Sequence, residues 1–351
     1  CEYCPNRRSA DVKRASVTPD EICELVINFY KRNYIEGLFL SSAVFSSPNR
    51  TMELLTDTVI KLRKVYNFTG YIHLKGIPPA AEMLIMRAAK FVDRMSFNIE
   101  LPSEKSLKLL APQKTRESLI QPMKKLSTAL TYDRENKVKK GGVIPAGQTT
   151  QMIIGASPES DGQILRLTEA LYRKMGLKRV YYSSYIPVVE SPKLPTVGAG
   201  LLREHRLYQA DWLIRFYGFD VSEIVDESEN LSPDYDPKCA WAMRNMHLFP
   251  IEINTAPLEM LLRVPGIGAK GAYRILSARK YGALDFDNLA KMRIILKRAK
   301  HFITCKGKFY GSESGNAVKA ALMLEGIKET REQLSMFSCS SVALSALSGE
   351  I

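Results

Sequence analysis

Two cysteines, Cys1 and Cys4, are spaced so that both thiolates can reach one metal centre. The chain contains six cysteines, and the other four are isolated from one another. No second pair therefore completes the four-ligand set that is usual in a structural zinc site. Thiolates that are close in sequence can bind several irons of an iron–sulfur cluster. The spacing favours such a cluster, and a chance pair with a redox or zinc role is the alternative.

A second motif lies at residues 264–272, which read VPGIGAKGA and follow an apolar helical stripe. Gly266 and Gly268 would let backbone N–H groups approach a phosphate at a helix N-terminus, where anions are favoured. Lys270 adds a positive charge. The pattern closely resembles the helix-hairpin-helix motif, which binds the DNA backbone without reading its sequence. A hairpin that only packs against protein is the alternative.

Residues 289–302, which include Lys297 and Arg298, resemble a degenerate second half of the same motif. The net charge of +13 is concentrated in this region. Residues 263–308 contain twelve Lys and Arg against two acids, Asp285 and Asp287, and so carry +10 of that charge. A basic excess gathered in one region is typical of a surface that binds a polyanion. A lysine-rich, solvated helix face is the alternative.

The elements that must position these motifs alternate between strand and helix. Thr18 and Glu21 predict a capping box at a helix start, with Pro19 at the first helical position. Strands are predicted within residues 37–42, 71–75, 94–101, 149–155 and 179–185. The alternation predicts an α/β fold, with a parallel sheet and right-handed crossovers. Residues 187–200 are rich in Pro and Gly, which predicts a linker after the last strand.

Ligands of parallel α/β folds bind at the C-terminal ends of the strands. Polar residues at those predicted ends are therefore candidates for a binding site. Asn98 and Glu100 form an N-x-E pair whose side chains share one face. The other strand-end candidates are Ser41, Ser42, Tyr182, Ser183 and the segments 147–151 and 155–159.

Cys1, Tyr3 and Cys4 resemble the end of the radical S-adenosylmethionine (SAM) motif C-x-x-x-C-x-aromatic-C, with Tyr3 at the aromatic position. The first cysteine of the motif would lie four residues before Cys1, so we expect the first barrel strand to precede this chain as well. The resemblance covers residues 1–189 and implies a partial (β/α)6 barrel. It also implies that Cys1 and Cys4 ligate a [4Fe–4S] cluster whose unique iron binds SAM.

The same resemblance implies roles for residues at the strand ends. Ser41 and Ser42 stand where many members have Gly-Gly-Glu, a loop that binds the SAM ammonium group. Asn98 and Glu100 resemble an N-x-D pair that holds the SAM ribose, a role that suits a carboxylate. The positions that flank adenine and methionine are occupied by Gln151, Ile153, Gly155 and Glu159. The implied reaction is reductive cleavage of SAM to a 5′-deoxyadenosyl radical, which then abstracts hydrogen.

A radical SAM barrel followed by a helix-hairpin-helix is similar to a family assigned to DNA modification or repair, often encoded beside a uracil-DNA-glycosylase-like partner. Residues 203–213 and 249–254 also resemble that family, so the resemblance extends to about residue 302. It implies an enzyme that acts on a flipped, single-stranded or damaged nucleotide in DNA. An RNA-modifying radical SAM enzyme and a non-catalytic nucleic-acid adaptor with a degenerate barrel are the alternatives.

The expected organisation is a barrel at 1–189, a linker with bridging helices at 190–250, an all-α helix-hairpin-helix module at 251–310 and a weakly ordered tail at 311–351. The chain is 45% hydrophobic and 25% charged, as in an ordinary globular protein. No run of about 18 apolar residues predicts a membrane span. The scattered cysteines favour a reducing compartment, so we expect a cytoplasmic protein.

Overall fold

The chain divides into two compact units. The computed structural model describes residues 1–7, 9–138 and 141–312, together with 318 and 322. The first unit comprises Cys1–Glu159 and Arg166–Gly200, and the second comprises Ser160–Leu165 and Leu201–Ile351. Segment 201–250, expected to bridge two modules, therefore belongs to the second unit. The tail expected at 311–351 lies outside the described residues, apart from 311, 312, 318 and 322.

The first unit is built on a parallel sheet, which confirms the predicted α/β class. In the described residues its strands, in sheet order, are β1 (Gly37–Leu40), β2 (Tyr71–Lys75), β3 (Arg94–Ser96), β4 (Gln148–Ile154) and β5 (Arg179–Ser184). Each neighbouring pair is parallel. The order along the sheet equals the order along the chain, as expected when each crossover returns to the adjacent position.

Strand β3 is shorter than the predicted 94–101, and Thr150 explains the difference. The Thr150 hydroxyl donates to the Phe97 carbonyl at 2.8 Å and accepts the Ile99 N–H at 3.0 Å. This side chain therefore replaces the strand-to-strand hydrogen bonds at that point. Pairing resumes at Glu100, which forms an isolated bridge with Met152.

Helices connect the strands of the first unit. They are α1 (Pro19–Lys31), α2 (Pro48–Lys64), α3 (Glu82–Ala89), α4 (Glu104–Leu110), α5 (Arg116–Glu135) and α6 (Asp161–Met175), whose first turn lies in the second unit. The predicted capping box is confirmed, because the Thr18 side chain accepts the Glu21 N–H and the Glu21 carboxylate accepts the Thr18 N–H. Among the described residues, we find no helix that is long and apolar enough to cross a membrane.

The two faces of the first unit's sheet differ because side chains alternate along each strand. One face is apolar and has no exposed side-chain surface at Ile72, Leu74, Met95, Met152 and Ile154. The opposite face carries two rows of paired residues. We call it the polar face and define it by Phe39, His73 and Arg94 in one row and Lys75, Ser96 and Thr149 in the next.

The second unit combines helices with a small sheet. In its described part the helices are α7 (Leu201–Phe216), α8 (Val221–Ile224), α9 (Pro237–Arg244), α10 (Leu258–Arg263), α11 (Ala269–Ala278), α12 (Phe286–Lys291) and α13 (Leu296–Ala299). Strands β6 (Ile251–Glu252) and β7 (Ile303–Cys305) are parallel, and β8 (Lys308–Phe309) is antiparallel to β7. The prediction that residues 251–310 are all-α was therefore wrong.

Glu252 explains why a sheet forms in this segment. Its carboxylate accepts N–H groups from Asn254, Lys306 and Gly307 at 3.1, 3.2 and 3.1 Å. It thereby joins β6 to the turn between β7 and β8. Asn254 exchanges two hydrogen bonds with the backbone of Leu284. These contacts between distant segments are invisible to local sequence patterns.

We expect Glu252→Gln to destabilise the protein at pH 7. Burial raises the pKa of Glu252, but backbone hydrogen bonds from Gly307 and Asn254 outweigh it and lower the pKa from 4.5 to about 2. The stability that the carboxylate contributes is therefore present above pH 4.5 and lost as pH falls toward 2. The variant should lose about 1.5–3 kcal/mol of unfolding free energy at pH 7, measured by denaturant unfolding. Exposed Glu259→Gln is the control, and equal stability of parent and Glu252→Gln at pH 7 would contradict the assignment.

Candidate functional site

Cys1 and Cys4 lie on one tight turn in the first unit. The Cys4 N–H donates to the Cys1 carbonyl at 3.1 Å, and the Glu2 N–H donates to the Leu110 carbonyl at the end of α4 at 2.7 Å. Both thiols are free and half-buried. They pack against an apolar cluster, which we define as Tyr3, Leu101, Leu107, Leu110, Ala111, Leu119, Ala156, Tyr185 and Leu194. The two sulfurs are thus held beside the segments that follow β3 and β4.

Tyr3 connects this turn to Glu100. The Tyr3 hydroxyl donates to Glu100 Oε2 at 3.3 Å, and Lys114 Nζ donates to Glu100 Oε1 at 2.6 Å. Burial, and then the Glu100 charge, raise the pKa of Tyr3, so its hydroxyl remains a hydrogen-bond donor. The Glu100 side chain is only 13% exposed. The carboxylate is therefore held from two sides at the C-terminal end of the sheet.

The backbone of Glu100 is in an unusual conformation. Its φ of 68° lies in the left-handed region, which non-glycine residues rarely adopt. The Glu100 N–H donates to the Gln151 carbonyl and its carbonyl accepts the Ile153 N–H, at 3.1 and 2.7 Å. These bonds to β4 hold the strained residue in position. Such strain is common at functional sites, where surrounding structure maintains it.

Asn98, Gln151 and Ile153 join the same region. Asn98 Nδ2 donates to Gln151 Oε1 at 3.3 Å, between the end of β3 and the middle of β4. Ile153 packs against the same apolar cluster as Cys1 and Cys4. The structure therefore brings together seven of the candidate residues for cluster and SAM binding: Cys1, Tyr3, Cys4, Asn98, Glu100, Gln151 and Ile153.

The remaining SAM candidates have other contacts. Ser41 and Ser42 are exposed after β1, and the Ser42 hydroxyl donates to the Ala43 carbonyl. Gly155 has a φ of 82°, and a Cβ there would lie 2.2 Å from Ala199 Cβ, so close packing accounts for this glycine. None of these contacts connects to Glu100.

Glu159 supports helix α4. Its carboxylate accepts hydrogen bonds from the Ser103 and Ser106 hydroxyls. Burial raises the pKa of Glu159, but the hydrogen bonds from Ser103 and Ser106 outweigh burial and bring this pKa below its ordinary value. Ser103 is the N-cap of α4, the helix whose end anchors the cysteine turn. Glu159 thus supports the helix that anchors the cysteine turn, and its predicted contact with SAM stays a prediction.

The donor set fits part of an iron–sulfur site. Two free thiols on one turn suit two ligand positions of a cluster. Within the described ranges, no three His, Cys, Asp or Glu side chains group in a metal-binding arrangement. Cys1 and Cys4 therefore correspond to two of the cluster ligands that the motif resemblance implies.

Sequence reasoning missed four basic residues near these candidates. Lys114 pairs with Glu100, while His73, Lys75 and Arg94 line the polar face. In β2 the signal was available, because Tyr71, His73 and Lys75 alternate with the buried Ile72 and Leu74. A strand with apolar side chains on one face and ionisable ones on the other indicates that the second face meets a polar ligand or solvent.

The first hairpin of the second unit joins α10 to α11 through Gly266 and Gly268. Gly266 has a φ of 87°, and a Cβ there would lie 2.5 Å from the Ile295 carbonyl oxygen. Gly268 is exposed and precedes α11 with a φ of −86°. Lys270 is exposed one residue into the helix. The turn therefore requires glycine at 266 and presents 268 and 270 to solvent.

Tyr217, which follows α7, and Lys238 in α9 support this hairpin. The Ala269 N–H donates to the Tyr217 hydroxyl at 3.2 Å, and Lys238 Nζ donates to the Ile267 carbonyl at 2.6 Å. Lys238 also lies 4.9 Å from the centre of the Tyr217 ring. Burial lowers the pKa of Lys238 to about 7. One N–H at the start of α11 is thus already occupied.

A second hairpin joins α12 to α13, and its turn resembles the turn of the first hairpin. Arg293 in the second turn has a positive φ of 59°, as Gly266 has in the first turn. Each of these residues is followed by a buried isoleucine, Ile294 in the second turn and Ile267 in the first. The Ile295 N–H donates to the Gly266 carbonyl at 3.3 Å, which joins the two turns directly. A second half of the motif was predicted at 289–302, and a matching turn is found there.

The basic residues of this unit fall into two classes. Arg298 donates to Asp236 at 2.8 Å, and its side chain is only 11% exposed, so its charge is used inside the protein. The phosphate contact predicted for Arg298 stays a prediction, and in this structure the side chain forms an internal ion pair. Other cations are exposed and make no ion pair within the described part of the chain: Lys270, Lys280, Lys291, Arg293 and Lys297.

Comparison with models of known protein families gives no match for this chain, and a search of curated proteins gives no significant match either.

Proposed function

We propose that this protein is a radical SAM enzyme that acts on a nucleotide in DNA. The observation that carries the proposal is the hydrogen bond between Tyr3 and Glu100. Tyr3 lies between the two cysteines suited to bind a cluster, and Glu100 carries the carboxylate suited to bind the SAM ribose. This hydrogen bond therefore joins the two parts of the proposed cofactor site. Two motifs that are 96 residues apart in the sequence, ending at Cys4 and Glu100, therefore converge as one cofactor site would require.

The residues of this chain have distinct tasks in the proposed site. Cys1 and Cys4 would ligate a [4Fe–4S] cluster, which when bound supplies the electron for reductive cleavage of SAM. Glu100 would accept hydrogen bonds from the ribose hydroxyls, with Lys114 holding its carboxylate in place. Asn98 and Gln151 would contact the polar edge of the same ligand. The apolar cluster around the cysteine turn excludes water, which protects reactive species from side reactions.

The strand arrangement supports a partial barrel as the scaffold. The five described strands of the first unit's sheet are parallel and follow one another in chain order, with helices between them, as in a barrel built from successive strand–helix units. One more strand before β1 would give the (β/α)6 arrangement that the resemblance implies.

The paired hairpins support a nucleic-acid substrate. Exposed Lys270, Arg293 and Lys297 on or beside the two turns would neutralise phosphates, and the glycine turn allows close approach of the backbone. Backbone-directed hairpins favour DNA, because no feature identified in them contacts a 2′-hydroxyl. The uracil-DNA-glycosylase-like partner remains a prediction from the family resemblance. A non-catalytic adaptor would bind nucleic acid through the same hairpins but would hold no iron–sulfur cluster.

Anaerobic iron and sulfide analysis of the full-length protein tests the proposal, followed by an assay for 5′-deoxyadenosine. We expect about four irons per chain, as in a [4Fe–4S] cluster, and 5′-deoxyadenosine formation that increases with DNA. DNA binding without iron would support the adaptor. SAM cleavage stimulated by RNA and not by single- or double-stranded DNA would support the RNA-modifying alternative.

We expect Glu100→Ala to weaken SAM binding by about 1.5–3 kcal/mol, the range for hydrogen bonds to a charged group. Iron content should be preserved, because Glu100 contacts Tyr3 and neither cysteine thiol. Calorimetric titration of SAM into the iron-loaded protein measures the effect. Glu104→Ala is the matched control, since it removes an exposed carboxylate that pairs with Lys108. Unchanged SAM affinity in Glu100→Ala would mean that Glu100 serves only to hold Lys114 and Tyr3.

A further inference from the structure

The polar face is unusual for a parallel sheet, whose two faces are normally covered and rich in branched apolar side chains. Here the paired rows place His73 beside Arg94 and Lys75 beside Ser96. The only aromatic in the two rows, Phe39, is 52% exposed. Apolar packing therefore does not explain why this face carries basic and hydroxyl side chains, whereas a ligand that accepts hydrogen bonds would explain it.

Two polar atoms on the polar face are buried without a hydrogen-bond partner among the described residues. Arg94 Nε is inaccessible to solvent and makes no hydrogen bond within the described residues, although another guanidinium nitrogen donates to the Ala146 carbonyl at 3.3 Å. The Thr149 hydroxyl is also unpartnered there, in a residue only 1% exposed. Buried polar groups are normally hydrogen-bonded, so these two indicate a missing partner that accepts hydrogen bonds.

The electrostatics of the face point to an anion. Burial, and then the charges of Arg94 and Lys75, lower the pKa of His73 to about 4. Burial also lowers the pKa of Lys75, partly offset by Glu100. His73 is therefore neutral at pH 7, with Nε2 3.0 Å from the Ser96 hydroxyl. Two cations share a partly desolvated surface, and the acids beside them already have partners, because Glu100 pairs with Lys114 and Asp93 pairs with Arg63.

We propose that the polar face binds a phosphate group of the nucleotide on which the enzyme acts, held by Lys75, Arg94 and the Thr149 hydroxyl. The identity of the nucleotide rests on the proposed function. A phosphate offers several acceptor oxygens and a negative charge, which matches one guanidinium, one ammonium and one hydroxyl. Thr149 lies two residues before Gln151 on β4, and the Gln151 carbonyl accepts the Glu100 N–H, so the site adjoins the proposed SAM ribose contact. The substrate would therefore lie next to the cofactor.

Calorimetric titration of the full-length protein tests this site with four 2′-deoxynucleoside 5′-monophosphates, the matching nucleosides and inorganic phosphate. At least one monophosphate should bind about tenfold or more tightly than its nucleoside. Lys75→Gln and Arg94→Gln should each remove that advantage. Iron content, SAM affinity and binding of duplex DNA to the hairpins should be unchanged. Lys90→Gln, which removes an exposed charge after α3, is the control.

Arg94→Gln can disturb folding, because the Arg94 side chain donates to the Ala146 carbonyl. Lys75→Gln then decides the test, because the Lys75 ammonium makes no hydrogen bond within the described ranges. The site is refuted if folded Lys75→Gln binds monophosphates like the parent, or loses SAM binding instead. Inorganic phosphate binding as tightly as any monophosphate would assign the face to free phosphate and overturn the nucleotide assignment. If anaerobically prepared full-length protein contains no iron and still shows Lys75-dependent monophosphate binding, the proposed enzyme is refuted while this site stands.

Discussion

Cys4→Ala in the full-length protein should abolish iron binding and SAM cleavage while leaving DNA affinity nearly unchanged. Cys4 closes the turn that begins at Cys1, and both thiols pack against the same apolar cluster. Removing one thiolate from a cluster site leaves an iron without its protein ligand. The exposed cations of the paired hairpins lie in the second unit and are untouched by this change. The measurements are iron and sulfide content, 5′-deoxyadenosine formation and binding to a DNA duplex.

Cys239→Ala is the control for loss of a thiol. Cys239 is also a free cysteine, but it is buried in α9 of the second unit, where burial raises the pKa of its thiol. A protonated, inaccessible thiol is a poor metal ligand. Iron content should therefore be normal in this variant. A Cys4→Ala protein that still assembles a SAM-cleaving cluster would show that the ligands have been assigned wrongly.

Local sequence patterns predicted the elements of the first unit well where the relevant contacts are local. The Thr18 capping box and strand β2 depend on residues within one turn or one strand, and both predictions are confirmed. Helix α5 was not predicted, because Pro122 lies inside it and interrupts the helical pattern. Its capping residue Thr115 accepts the Ser118 N–H, a signal that was present in the sequence.

Long-range pairing explains most of what the sequence did not reveal. Arg298 belongs to a basic segment, but only the structure shows that Asp236, 62 residues earlier, neutralises it. The sheet of the second unit depends in the same way on Glu252 reaching the turn at Gly307, 55 residues later. Glu100 was singled out by its type and spacing, whereas its partner Lys114 could not be predicted without the path of the chain after β3.

The second large effect is expected at Gly266. Gly266→Ala should destabilise the second unit by at least about 2 kcal/mol, because an L residue at a φ of 87° is strained and its Cβ would lie 2.5 Å from the Ile295 carbonyl oxygen. The hydrogen bond from the Ile295 N–H to the Gly266 carbonyl would be lost with that displacement. Both hairpins should therefore be affected, and DNA affinity should fall with the fold. Gly282→Ala is the matched control, since a Cβ there meets nothing within 4 Å.

Gly268 and Lys270 separate binding from folding. A Cβ at Gly268 would meet only the Tyr217 hydroxyl at 3.4 Å, an ordinary contact, so Gly268→Ala should fold normally. Its methyl group would stand at the exposed start of α11, where a phosphate would approach, and should weaken DNA binding. Lys270→Ala removes one exposed charge and should make the log–log salt dependence of binding shallower by about one unit, evenly across sequences. If both folded variants bind duplex and single-stranded DNA like the parent over a salt series, the first hairpin does not contact DNA, and the exposed cations of the second hairpin must carry the interaction.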